Sequence, residues 1–224
     1  MSSYISKRTV AFIDVLAFKY ILNKFQLSII GKAYTSAIDN VLRAFKDDMI
    51  GNRKLETCSI NIFSDSIIIY SNDGSEAGFL SVVKCVQRII QSLILSQFPA
   101  RGAITFGEMY IDENRKIHAG IPLVETYKLE QEQEWIGVVI DKSLQDQFKV
   151  LLDITALPKI GQYSVPLKEE NIRDSYVINW LQGLADDTNY IKSLNLLPTK
   201  EVFGKEMKCK YMNTIKFIEY IKSL

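Results

Sequence analysis

Asp14 closes a short apolar run inside Phe12-Ile13-Asp14-Val15-Leu16-Ala17-Phe18. Asp65 has similar surroundings, in Asn61-Ile62-Phe63-Ser64-Asp65-Ser66-Ile67-Ile68, where one apolar run gives way to another. A carboxylate amid so much apolar surface is costly unless something compensates it. Carboxylate oxygens are hard donors, and two of them brought together suit divalent cations. Paired cations on a triphosphate activate an attacking hydroxyl and neutralise a leaving pyrophosphate. An aspartate at a strand end also serves as a turn former or helix cap, so for either residue alone both readings stand.

Three further residue types fit phosphate chemistry. Arg101 opens the segment Arg101-Gly102-Ala103-Ile104-Thr105-Phe106-Gly107-Glu108. Its planar fork of donors matches phosphate, and it equally matches a carboxylate in an ion pair. His118 stands in His118-Ala119-Gly120-Ile121-Pro122, at the expected start of a helix whose N-terminus would favour an anion. By itself it reads as a half-exposed loop histidine. Lys128 lies on that helix, where a lysine is ordinarily solvated.

The elements that must position these groups follow from periodicity. Val10 to Asp14 reads as a buried strand. Ile30, Tyr34, Ala37, Ile38, Val41, Leu42, Phe45 and Met49 recur at helical spacing, which predicts a helix over Leu27 to Met49. Ser59 to Ser71 reads as two strands meeting near Asp65, rich in β-branched residues. A second helical stripe runs from Phe79 to Ile94 and stops before Pro99. A strand over Arg101 to Tyr110, a polar turn at Asp112 to Arg115, a helix over Pro122 to Glu134 and a strand over Ile136 to Ile140 complete the legible part. Beyond Leu151 only a strand at Tyr176 to Trp180 and an amphipathic helix from Met207 to Leu224 stand out. The order β-α-β-β-α-β predicts an α/β (α+β) fold: a ferredoxin-like split βαβ core with a mainly antiparallel sheet flanked by helices.

The 224 residues suffice for one substantial core, and one domain over 1–224 is expected. A formal net charge of +1 lacks the basic footprint of a nucleic-acid binder. Cys58, Cys85 and Cys209 form neither a disulfide framework nor a zinc pattern, and they suit a reducing cytosol. The apolar stretch from Gly78 to Phe98 is broken by Lys84, Arg88 and Gln91, which argues against a membrane span. The run after Lys7 and Arg8 is too short for a signal peptide, so a cytoplasmic protein is expected.

These segments together resemble the class III nucleotidyl cyclases over about residues 8 to 141. Phe12 to Phe18 follows the family's Phe-x-Asp-x-x-Gly-Phe motif, with Ala17 in place of glycine. Ser64-Asp65 stands where the family has Gly-Asp in a β-hairpin. Arg101 and Gly107 match the ends of its Arg-x-Gly-x-x-x-Gly pattern, and Gly102 is displaced by one. Gly120, Val124 and Lys128 align with a Gly-x-x-x-Asn-x-x-x-Arg helix motif, and Leu129-Glu130 follows as its closing Leu-Glu.

The resemblance implies that Asp14 and Asp65, with a backbone carbonyl of Ile13 or Val15, hold two Mg²⁺ or Mn²⁺ ions. It implies that Arg101 and Lys128 face phosphate, while Asn61 and His118 lie where the family reads the base. It also implies a head-to-tail homodimer with shared sites. Purine cyclases carry Lys at the position of Asn61, and Asp or Thr at that of His118. With both base positions changed and both metal positions kept, the chain looks like the Pycsar antiphage pyrimidine cyclases. The implied reaction converts UTP, ahead of CTP, to a 3′,5′-cyclic monophosphate used as a second messenger in bacterial antiviral defence. Two alternatives stand beside it: a purine cyclase or nucleotidyltransferase, and an inactive cyclase-like module that binds a nucleotide or a protein, to which Val124 points.

Overall fold

The computed structural model describes residues 4–46, 49–50, 53–54, 58–153, 160–184 and 200–224. Strand β1 (Tyr4–Val15) is longer than its apolar run alone predicts. It is paired along its whole length with β6 (Ala100–Asp112), from Tyr4 opposite Ile111 to Val15 opposite Ala100. On its other side β1 pairs with β5 (Ser66–Tyr70), which forms a hairpin with β4 (Ser59–Phe63). The order β4-β5-β1-β6 is that of a split βαβ core, with antiparallel neighbours throughout.

Strand β8 (Val138–Ile140) extends this sheet as the parallel neighbour of β6. Two strands from the less legible C-terminal part, β9 (Ile160–Pro166) and β10 (Ile172–Ile178), then continue it antiparallel. A short β7 (Ile117–Ala119) folds back on the far end of β6. Among the described residues the sheet thus has eight strands, and the late segment extends it. A separate ribbon pairs β2 (Met49–Ile50) with β3 (Arg53–Lys54).

Alternation along β1 assigns its two faces. Ala11, Ile13 and Val15 enter the main core with Ile67 and Ile69 of β5. The same core takes in α2 (Leu27–Lys46) and α3 (Glu76–Leu95), whose Phe79, Val82, Val86, Ile89 and Leu93 are fully buried. Ser75 caps α3 by accepting from the Gly78 amide at 3.0 Å. Among the described residues α3 is the one helix long and apolar enough to cross a membrane, and 72% of that stretch is packed inside the protein. The opposite face carries Val10, Tyr70, Met109 and Ile111, partly covered by Leu123 of α4 (Ile121–Glu132).

The predicted elements recur with shifted ends. The helix expected over Leu27 to Met49 ends at Lys46, and Met49 belongs to β2. The last helix, here α6 (Lys200–Ser223), buries Phe217 and Thr214 against the sheet. Two helices were not expected: α1 (Phe18–Lys24), a short turn after the first aspartate motif, and α5 (Lys142–Asp153). In α5 the helical geometry breaks at Phe148, whose ring stacks on Phe79 with centroids 4.9 Å apart.

Candidate active site

Asp14 lies opposite Ser66 on β5 and opposite Arg101 on β6. The Val15 amide donates to the Asp65 carbonyl at 3.0 Å, which ties the β4–β5 turn to the end of β1. The two aspartates, 51 positions apart in the chain, therefore meet at one end of the sheet. Two backbone devices hold them there. Ala17 has φ 57° and Ser64 has φ 55°, both in the left-handed region. In the hairpin, Ser64 and Asp65 are the two loop residues between the paired Phe63 and Ser66. A two-residue hairpin loop commonly needs a positive φ, which glycine supplies at least cost. The motif glycines are gone from both positions, yet the backbone shape they would permit is kept.

The Asp14 carboxyl is half-buried and pushed up to about 7. Burial is the main cause, followed by the charges of Glu130 and Asp65. The Arg101 charge and a long hydrogen bond from Ser66 Oγ, at 3.5 Å, act in the opposite direction. Tyr34 of α2 completes the neighbourhood. Its hydroxyl is buried without a hydrogen-bond partner, and it is pushed up to about 12 by burial and then by the charges of Asp65 and Asp14. Sequence reasoning placed Tyr34 only in an apolar helical stripe, and nothing in periodicity separates a core tyrosine from one aimed at a site.

This donor set fits hard divalent cations. Two carboxylates repel one another across a bend, and an unsatisfied hydroxyl lies beside them. Among the described residues no group of three or more His, Cys, Asp or Glu side chains gathers around a possible ion. A pair of carboxylates is enough for Mg²⁺, which typically takes one or two and fills its remaining positions with water and substrate phosphate. The Ile13 and Val15 side chains are hydrocarbon and lie in the main core, so the backbone carbonyl is the ligand atom each residue offers.

Arg101 is itself buried. Its Nε donates to Glu130 Oε1 and its Nη1 to the Gln133 carbonyl at 2.5 Å. Gln131 Nε2 donates to the other Glu130 oxygen at 2.7 Å. In the sequence Glu130 is only the end of a motif; in the fold it is the group that holds Arg101 behind Asp14. Lys128, by contrast, is exposed on α4 and forms an ion pair with Glu125 at 3.2 Å. Val124 is also exposed, on the same helix.

Asn61 and His118 are not beside the aspartates. His118 Nε2 lies 3.1 Å from the hydroxyl of Tyr70, and Asn61 sits on β4 two residues from Ser59, the partner of Tyr70. Tyr70 lies opposite Val10, four residues along β1 from Asp14, or about 13 Å at strand spacing. Asn61, Tyr70 and Asp14 share one sheet face by alternation and register. The structure thus places the predicted site residues in two groups: Asp14, Asp65 and Arg101 at one end, and Asn61 with His118 farther along the same face.

No protein-family model matches the sequence, and no curated protein matches it. Solved structures do match its fold. The catalytic core of a rhodopsin-guanylyl cyclase with converted specificity, in complex with ATPαS, aligns with a TM-score of 0.55 at 11% identity, covering 80% of this chain and 98% of that one. The guanylate cyclase domain of RhGC from Catenaria anguillulae, in complex with GTP, aligns with a TM-score of 0.53 at 12% identity over 80% and 98%. An adenylate/guanylate cyclase/hydrolase from Silicibacter pomeroyi aligns with a TM-score of 0.51 at 9% identity over 79% and 96%. At such identities the likeness is one of architecture, and the architecture of this chain is the class III cyclase fold.

Proposed function

We propose that this protein is a nucleotide cyclase acting on a pyrimidine nucleoside triphosphate, UTP ahead of CTP. The observation that carries the reading is the meeting of Asp14 and Asp65 at one end of the sheet. In the reaction the ribose 3′-oxygen bonds to the α-phosphorus, the bond to the β-phosphate oxygen breaks, and pyrophosphate leaves. The hydroxyl proton passes to solvent. Chemistry of this kind asks for positioning and charge compensation rather than a covalent nucleophile.

Asp14 and Asp65, with a carbonyl of Ile13 or Val15, would hold two Mg²⁺ or Mn²⁺ ions. When bound, such ions offset phosphate charge and acidify the attacking hydroxyl. Arg101 lies behind Asp14 as a buried ion pair with Glu130, whose charge outweighs that of the guanidinium at the Asp14 carboxyl. Lys128 is exposed and long enough to approach a phosphate from a second subunit. Asn61 and His118 read the base. A homodimer with shared sites fits the separation of the two residue groups. It also fits the apolar surface on Phe63 (85% exposed), Ile121, Val124 and Tyr127. The reading takes 1–224 as one domain, which the packing of Ile13 and Phe217 into a common core supports. A second-messenger role in antiviral defence rests on the family resemblance, and a cytoplasmic location rests on the short apolar run after Lys7 and Arg8 and on the scattered cysteines.

Val124 supports a second reading. Where a hydrogen-bond donor would stabilise the transition state, this chain offers a half-exposed valine, and losing one such donor costs on the order of a hundredfold in rate. A nucleotide-binding module without turnover is the alternative. Incubation with each of the four triphosphates and Mn²⁺, with product identification, separates the readings. Cyclic UMP or CMP with pyrophosphate supports the first, products from ATP or GTP point to a purine cyclase, and no release from any of the four supports the module. Asp65→Asn is expected to abolish release, and undiminished turnover would remove Asp65 from the site.

A further inference from the structure

Two polar groups, Glu113 and His118, converge on the hydroxyl oxygen of buried Tyr70. The Tyr70 hydroxyl donates to Glu113 Oε1 at 2.6 Å, and His118 Nε2 lies 3.1 Å from the same oxygen. Ser59 and Asn61 of β4 lie on the same sheet face, Ser59 directly opposite Tyr70. The imidazole lies against the phenol ring, with centroids 5.2 Å apart. Glu113 comes from the β6–β7 turn, where Lys116 pairs with its other oxygen at 3.7 Å.

Proton counting fixes the direction of each bond. An ionised carboxylate can only accept, so the single Tyr70 proton goes to Glu113. Burial, and then the Glu113 hydrogen bond, push the phenol up to about 12, so it keeps that proton. The Tyr70 oxygen is then an acceptor on its remaining side, and the contact with His118 requires a hydrogen on Nε2. A neutral ring that carries its hydrogen on Nε2 has a lone pair on Nδ1.

We infer that Tyr70 and Glu113 are positioning residues that hold His118 in its Nε2–H form, so that Nδ1 accepts from the imide N–H of a uracil ring. Cytosine presents a lone pair at the corresponding ring nitrogen and is repelled. This deepens the base assignment made above and rests on it for the identity of the ligand. It extends the assignment from the two expected base residues to two that no motif marked, and it turns a preference for UTP into a consequence of hydrogen-bond direction.

His118 is the only histidine in the chain, so its tautomer can be read without assignment. Protein carrying ¹⁵N-histidine is studied by long-range ¹H–¹⁵N correlation at mildly alkaline pH, alone and with UTP or CTP in the presence of Ca²⁺. The expected result is an Nε2–H pattern in the free protein, a shift of the Nδ1 resonance with UTP, and none with CTP. Tyr70→Phe and Glu113→Gln are each expected to give mixed tautomers and to cut UTP-over-CTP discrimination about tenfold, the worth of one hydrogen bond. An Nδ1–H pattern, an equal response to both nucleotides, or no response to either overturns the inference. So does an unchanged tautomer in both variants with circular dichroism like that of the parent. The enzyme reading is decided separately. Pyrophosphate release from UTP with a silent His118 sinks only the relay, whereas a UTP-specific His118 shift without any release sinks only the cyclase.

Discussion

Replacing Ala17 or Ser64 with glycine is expected to stabilise the protein. Both residues hold left-handed backbone, with φ 57° and 55°. An L-residue there carries a steric cost of about 1–2 kcal/mol that glycine escapes. Glycine also loosens the unfolded chain, which offsets about 0.4–1 kcal/mol of that gain. The net is roughly 0.5–1 kcal/mol per site. Ala17 is only partly buried and Ser64 is exposed, so little packing is lost. The two sites adjoin through the Val15–Asp65 hydrogen bond, so the double variant should reach about 1–2 kcal/mol without strict additivity. For a chain of this size each kcal/mol moves the melting midpoint by about 2–4 °C. Thermal melts followed by circular dichroism, with urea titration as a check, measure it. Ala17→Val serves as the opposite perturbation and should lower the midpoint, because β-branching makes a positive φ worse. If neither glycine variant rises above the parent, or if Ala17→Val melts higher, the strain assigned to the two motif positions is wrong.

Metal binding should depend on pH. Asp14 keeps its proton up to about 7 in the cation-free fold, against 3.8 ordinarily. Between those values the native state binds more protons than the unfolded chain, so cation-free stability should fall as pH rises from about 4 to about 7. The size is roughly 1–2 kcal/mol once solvent screening of a half-buried group is allowed for. Mn²⁺ must displace that proton, so its affinity should weaken up to about tenfold per pH unit below 7. Calorimetry in buffers of different ionisation enthalpy would show the proton released, and pH-independent binding with no proton release would contradict it. Glu130→Ala leaves Arg101 buried without its carboxylate and should cost about 3–5 kcal/mol in urea unfolding. A loss below 1 kcal/mol would mean that solvent reaches the guanidinium. Gly102→Ala would bring a Cβ to 2.5 Å from the Phe12 carbonyl oxygen, so β1 and β6 must part; a variant as soluble and stable as the parent would refute that closeness.

Much of the core was legible because its strands are short, β-branched and placed in an order with few solutions. Asp14 and Asp65 announced themselves by polarity, being acidic groups set within apolar runs. The partners of the other groups left no such mark. Arg101 could equally meet phosphate or a carboxylate, and only the packing of α4 against β6 brings Glu130 to it. Tyr70, Glu113 and His118 are joined over 43 and 48 positions by hydrogen bonds that carry no periodicity. Helix α5 carries a helical spacing of Leu144, Phe148 and Leu152 that a reading of the apolar runs passed over, and β9 was hidden because it carries Gly161, Gln162 and Ser164 among few β-branched residues. Residues of Leu27 to Met49 beyond Lys46, and part of the last helix, fall partly outside the described side chains.

The two acidic groups ride on elements of unequal firmness. Asp14 belongs to a strand hydrogen-bonded on both sides, whereas Asp65 sits at the tip of a hairpin whose outer strand, β4, has a single partner among the described residues. Edges and tips open at lower free energy than interiors. Gentle warming should therefore swing one carboxylate away while its mate stays in place, so cation-holding capacity would fade well before the sheet melts. The working temperature of such a protein is set by the fraying of a five-residue border strand, and its melting midpoint is a poor guide to it.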